Sequence, residues 1–344
     1  MRRGQTSSIL AVALVVGLIA VAGTVVWRRD LFGRGGNKLP DAFQYRSPAG
    51  QGTDPALVRY RQTASIPLPE RPHAIAVGPE DRIYVAVERQ VLMFTADGKP
   101  AGTIAVEGTP RCLAVGGSEH ERPGRIYVGV EHHVEVFADG KRAAVWPDLG
   151  SRSILTSIAA ADRDVLVADA GNRLVHRFDL EGKRLGEIGR KDESRNIPGF
   201  IIPSPYFDVA ISLDGLVRVA NPGRHRVEGY TLDGHLETSW GEPGEEVEMF
   251  CGCCNPANFA ILPDGRFVTS EKGIPRIKVY NPQGKFECVV AGPEILAPTA
   301  TAAEETRDEH RLPVFDVAAD SRGRVLMLDA AGKAVRIFER NPGS

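Results

Sequence analysis

The chain repeats itself six times. Each copy gives a short apolar strand, a turn, a second apolar strand, a polar turn and a third strand ending in an aromatic residue, then a turn with Gly. Self-similarity at a fixed period marks repeat architectures, in which one unit cannot bury its apolar face alone and neighbours must cover it. The second strands are Ile83-Tyr84-Val85-Ala86-Val87, Ile126-Tyr127-Val128-Gly129-Val130, Val165-Leu166-Val167-Ala168, Leu216-Val217-Arg218-Val219-Ala220, Arg266-Phe267-Val268-Thr269-Ser270 and Val325-Leu326-Met327-Leu328. The third strands end at Phe94, Phe137, Phe178, Tyr230, Tyr280 and Phe338. The interval between the two landmarks is eight residues in the first two copies (86 to 94, 129 to 137) and ten in the other four (168 to 178, 220 to 230, 270 to 280, 328 to 338).

Turn chemistry agrees. Asp97-Gly98, Asp139-Gly140, Glu181-Gly182, Asp233-Gly234 and Gln283-Gly284 follow the aromatic positions, and such pairs supply the positive φ of tight antiparallel reversals. Several second strands are apolar on both faces, as a sheet packed between two neighbours requires. These observations predict an all-β, six-bladed β-propeller over residues 57–344, with four-stranded antiparallel blades. The sixth copy has only six residues after Phe338, too few for a fourth strand. Residues 60–68 stand where the other copies have theirs, so this segment is expected to pair with the last blade and seal the ring.

Val167-Ala168-Asp169-Ala170-Gly171-Asn172-Arg173, Trp240-Gly241-Glu242-Pro243-Gly244 and Pro256-Ala257-Asn258-Phe259-Ala260-Ile261-Leu262-Pro263-Asp264-Gly265 resemble NHL repeats of bacterial six-bladed propellers. The resemblance is strongest in copies three to six. Copies one and two depart from it by shortened hairpins around residues 87–91 and 130–134.

Ahead of the repeats, residues 9–27 are uncharged and flanked by Arg2, Arg3, Arg28 and Arg29. Nineteen residues at ~1.5 Å each approach the ~30 Å hydrocarbon core of a bilayer. The expectation is a short cytoplasmic region (1–8), a transmembrane signal anchor (9–27), a Gly- and Pro-rich linker (28–56), and a propeller on the extracytoplasmic, periplasmic side. Ala20-Val21-Ala22 also fits a signal-peptidase site, and cleavage at Ala22 would release the domain instead. Residues 39–344 carry 36 Lys and Arg against 43 Asp and Glu, so the basic footprint of a nucleic-acid binder is missing.

In a propeller, the loops leading into the innermost strands and the loops between second and third strands share one face, the default place for a ligand. His73, Arg111-Cys112, Ser157, Asp208, Asn258 and Asp316 fall at or near matching innermost positions. Short polar groups there either hydrogen-bond loop backbone or form a polar ring, with Asp208, Asn258 and Asp316 as oxygen ligands for a cation such as calcium; His73 joins these three as a candidate metal ligand if the domain is an enzyme. Asp169, Asn221, Glu271 and Asp329 recur where second strands end and read as turn caps. Arg224, His225, Arg226, Lys272 and Arg276 put positive charge on two adjacent hairpins, either a solvated face or a seat for an anion.

Cys251, Cys253 and Cys254 lie within four residues of the loop before copy five, and Cys112 is expected on the same face. Thiolates select soft metals, whereas an exported domain would oxidise them to disulfides. The C-x-C-C spacing matches no standard zinc site. No H-E-x-x-H, G-x-S-x-G, Walker or dinucleotide motif occurs in suitable context. Three functions are open: the resemblance to NHL-type propellers implies either a binding module for a protein, glycan or small molecule on the loop face or a metal-dependent lactonase- or lyase-like enzyme, and the cysteine loop adds a metal or redox accessory protein.

Overall fold

The computed structural model describes residues 52–343 apart from 196, 253 and 298–312. The described residues form 24 strands, numbered in chain order, in six four-stranded antiparallel sheets. The innermost strand of each blade is β2 (Ala74–Val77), β6 (Pro110–Val115), β10 (Leu155–Ala160), β14 (Val209–Ile211), β18 (Asn258–Ile261) or β22 (Asp316–Ala319). These six neighbour one another cyclically around an axis, with β22 returning to β2.

Closure follows the expectation. β1 (Tyr60–Pro67) pairs antiparallel with β24 (Ala334–Arg340), so the sixth sheet runs β1, β24, β23 (Val325–Asp329), β22. The first strand of the domain thus completes the last blade, and the ring has no open seam. Ordered structure begins before it, inside the segment read as linker: Pro55–Leu57 form a 3-10 turn capped by Asp54, and Val58 bridges Val289 of blade 5. The span at residues 9–27 lies outside the described residues. Among the described residues no helix is long and apolar enough to cross a membrane.

Six hydrophobic clusters hold the sheets together, one at each blade-to-blade interface. The second strands carry this packing because both of their faces are covered: Val85, Val128, Val167, Val219, Val268 and Val325 are fully buried. Each such side chain contributes roughly 1.5–3 kcal/mol of transfer free energy. The short hairpins of blades 1 and 2 have a register cause. Val87 pairs with Gln90 and Val130 with His133, leaving two-residue turns, while Asp169 pairs with Leu174 and Asn221 with Arg226 across four-residue turns.

Candidate functional site

Register defines a ring at the head of the innermost strands. The second-strand residues Ala86, Gly129, Ala168, Ser270 and Leu328 face Ala74, Cys112, Ser157, Asn258 and Asp316, and the Ala220 N–H bonds the Asp208 carbonyl. The ring is therefore Ala74, Cys112, Ser157, Asp208, Asn258 and Asp316. His73 is not a member: it stands one residue upstream, exposed at the rim. All seven residues line one axial channel of about 590 Å³.

The polar members stitch blades together at four of the six interfaces. Ser157 Oγ donates to Asp208 Oδ1, and Thr156 Oγ1 donates to the Phe207 carbonyl at 2.6 Å. Asp208 Oδ2 accepts from the Phe259 N–H at 2.7 Å, Asn258 Nδ2 donates to the Phe315 carbonyl at 2.9 Å, and Asp316 Oδ2 accepts from the Ile75 N–H at 2.9 Å. These stitches join blade 3 to 4, 4 to 5, 5 to 6 and 6 to 1. At the two remaining interfaces the ring residues are Ala74 and Cys112. The backbone-bonding reading of these groups is thus correct in blades 3 to 6.

That role does not exhaust the two carboxylates. A carboxylate offers about four lone-pair sites. Asp208 uses three, for Ser157, Val209 N–H and Phe259 N–H, and Asp316 uses two, for Ile75 N–H and Val317 N–H. Burial pushes the Asp208 carboxyl up to about 6. Burial together with the charge of Asp208 pushes Asp316 up to about 7. Among the described residues no cationic side chain acts to offset either shift. Several other buried acids of the fold have cations: Asp169 has His176, Glu271 has Arg276 and Lys278, and Asp320 has Arg324. His73 does not supply one: the charges acting on it are those of Arg71, Arg111 and Glu88. Among the described residues no three His, Cys, Asp or Glu side chains gather as a metal-holding group.

The second-strand ends divide. Asp169 accepts from the Ile154 and Asn172 N–H groups, Asn221 from Ile201 and Asp329 from Gly332, as turn caps do. Glu271 is different and corrects the cap reading: its carboxylate binds Arg276 Nε at 2.6 Å and the fully buried Lys278 Nζ at 3.1 Å. Lys278 was not legible as a site residue because it sits in an apolar strand; it also donates to the Val247 and Met249 carbonyls.

The basic hairpins are not one free patch. Arg276 is committed to Glu271, His225 Nε2 contacts the Gly252 carbonyl at 2.6 Å, and Lys272 lies over the Tyr206 ring. Arg224 is half-buried, with its Nε enclosed and without a hydrogen bond. The cysteine loop passes between these hairpins: Asn255 Nδ2 donates to the Cys251 and Lys272 carbonyls, and Lys272 N–H returns to Asn255 Oδ1. Cys251 and Cys254 are buried there, and Cys253 lies outside the described residues. Cys112 is a buried free thiol in the channel ring, packed on Gly129, and Cys288 is a buried free thiol in blade 5.

The fold and this channel define a class: a six-bladed propeller with four-stranded antiparallel blades and an acid-bearing axial mouth. Solved structures share the architecture. One described as "Streptogramin B lyase structure" superposes with a TM-score of 0.53 at 12% identity, over 84% of this chain and all of the other. A structural-genomics protein of unknown function from Bacteroides thetaiotaomicron gives 0.53 at 17% identity, over 81% of this chain and 71% of the other. At these identities the likeness shows the fold alone. No family model and no curated protein matches the chain.

Proposed function

We propose that this chain is a membrane-anchored, extracytoplasmic binding module of the NHL-repeat kind whose ligand brings positive charge to the channel mouth. One observation carries the reading: Asp208 and Asp316 line one channel, repel each other, and among the described residues have no cationic partner acting on them. A buried charge without a partner is costly. A cation entering between them would relieve that cost, and Asn258, which stands between them in blade order, adds an amide oxygen. Inorganic divalent cations and organic ammonium groups share this chemistry. The anchoring rests on the uncharged stretch at residues 9–27 and its arginine flanks.

The test is calorimetry and thermal melting of the full chain with calcium, magnesium or methylammonium at pH 8 and pH 5. At pH 8 both carboxyls are ionised, and at least one cation binds and raises the melting temperature; at pH 5 both are protonated and binding is lost. No binding at pH 8 by any of the three would sink the reading.

The enzyme reading is favoured by the same two acids. Carboxyls titrating near neutrality suit general acid and base work, and streptogramin B lyase shares the fold. A divalent ion removed by EDTA together with turnover of a lactone or a lyase substrate would select this reading over simple binding.

A further inference from the structure

The mouth of the channel is built in three sectors. The first holds the ring carboxylates Asp208 and Asp316 of blades 4 and 6. The second is the rim of blades 1 and 2, where His73 and Arg111 line the same channel and are exposed. The corresponding upstream residues of blades 4, 5 and 6 are Phe207, Ala257 and Phe315, all buried. Arg111 departs from them because it is the extra residue of a β-bulge: Pro110 pairs with Val130 and Cys112 with Gly129, so Arg111 has no partner of its own. A bulge re-aims a side chain, and here it brings a guanidinium to the channel. The third sector is apolar. Ile154, 43% exposed, lines the channel with Pro205 and Tyr206 from blades 3 and 4.

Positive and negative charge thus stand on different blades of one opening, with the neutral hydrogen-bonding groups of Ser157 and Asn258 also in the ring. We propose that the channel mouth takes a short peptide with both termini free, its ammonium toward Asp208 and Asp316, its carboxylate toward Arg111, and an apolar side chain on Ile154, Pro205 and Tyr206. This deepens, and rests on, the cation reading of the two carboxylates. A peptide suits the layout better than a free amino acid because the two charges must reach different blades, and each extended residue adds ~3.3–3.6 Å of span. Burial and the neighbouring Arg71 and Arg111 charges lower the His73 pKa, against the opposing pull of Glu88, so His73 is neutral at pH 7 and meets the ligand as a hydrogen-bonding group. Arg111 is the fixed charge.

The experiment is calorimetry of the full chain at pH 8 with Ala-Leu-Ala, its N-acetyl form, its C-terminal amide, and free leucine. Wild type is expected to bind Ala-Leu-Ala in preference to leucine, and to bind the N-acetyl form and the amide each about tenfold more weakly, as expected for losing a charge-assisted hydrogen bond. Arg111→Met removes an exposed charge while keeping an apolar stem, and is expected to bind acid and amide equally with an unchanged melting temperature. Equal affinity of wild type for acid and amide overturns the proposal, as does equal affinity for the free and N-acetylated peptides. If calcium, magnesium or methylammonium binds at pH 8 and no tripeptide does, the peptide is wrong and the cation reading stands. If nothing binds, both fall.

Discussion

His176 Nε2 and Asp169 Oδ2 lie 3.1 Å apart across the second and third strands of blade 3, seven residues apart in sequence. The same spacing recurs in Asn221 with Glu228, Glu271 with Lys278 and Asp329 with Arg336. Blade 2 keeps only the third-strand member, Glu135, and blade 1 has Leu92 there. One position pair therefore carries four different chemistries in one ring, buried in blades 3 to 5 and partly exposed in blade 6. At Asp169, burial pushes the carboxyl up, but hydrogen bonds from His176, Asn172, the Ile154 N–H and Ser153 outweigh it and hold the group below the usual carboxylate range. Its stabilising contribution is present above the unfolded pKa of ~3.9 and is lost only as pH falls through the lower folded value.

The blade 5 pair is the most enclosed, and breaking one side should be worse than replacing both. Removing one partner of a buried pair costs about 3–5 kcal/mol because the other charge is left uncompensated. Glu271→Ala is expected in that range by urea unfolding, since it strands both Arg276 and Lys278. Glu271→Gln with Lys278→Met should cost less than the sum of the single changes. Burial pushes Lys278 down to about 8, so between there and its ordinary 10.5 the unfolded chain holds a proton the folded chain does not. Stability should rise with pH through that window, and Lys278→Met should remove the rise.

The channel acids give the opposite slope in a different window. Asp208 and Asp316 titrate at about 6 and about 7 when folded, above the ordinary 3.8. For these two groups the folded chain binds more protons than the unfolded one between these limits, so their contribution to the stability of the cation-free protein falls as pH rises from about 4 to about 7, against a rise from His73 and His120, whose pKa values burial lowers. For Asp208 the loss is roughly 3 kcal/mol. Acids with lowered pKa values, such as Asp97 at about 2, act below this range and do not blur it. Melting in EDTA between pH 5 and pH 7.5 should show a fall that a bound cation reverses at the upper end. A profile that Asp208→Asn and Asp316→Asn leave unchanged would count against the uncompensated pair.

Blade number, closure by the first strand and the shared loop face were legible because each follows from a landmark that recurs: the small second-strand residue, the aromatic end of the third strand, the Gly turn. The ring was legible only to within one residue. His73 looks like the polar member of blade 1, yet pairing of Ala74 with Ala86 gives that place to alanine. The bulge at Arg111 inserts a residue that periodicity alone does not reveal. Glu271 was misread as a cap because capping depends on local sequence, whereas its partner Lys278 arrives from the next strand and is read only once the register is fixed.

Closure of the ring has its own test. Ile66 in β1 is buried in the cluster between blades 6 and 1, and pairs with Val335. If β1 is as integral as any interior strand, Ile66→Ala costs about 2–5 kcal/mol. A cost below about 1 kcal/mol in urea unfolding would mean that β1 is a loosely held edge.

Gly129 and Cys112 test the apolar end of the ring. A Cβ added to Gly129 would meet the Cys112 sulfur closer than real Cβ atoms approach, with Leu155 behind at 3.4 Å. Gly129 has no positive-φ requirement, so the glycine is set by the room Cys112 needs rather than by backbone conformation. Burial raises the Cys112 pKa, with Asp316 and Asp208 adding to the shift, so the group is a neutral thiol that fills space. Gly129→Ala alone is therefore expected to destabilise by about 1–3 kcal/mol through overpacking. Adding Cys112→Ala should restore much of that loss, giving a favourable coupling of more than about 0.5 kcal/mol in a double-mutant cycle. Strictly additive costs would show that the two residues do not share the space at this end of the channel.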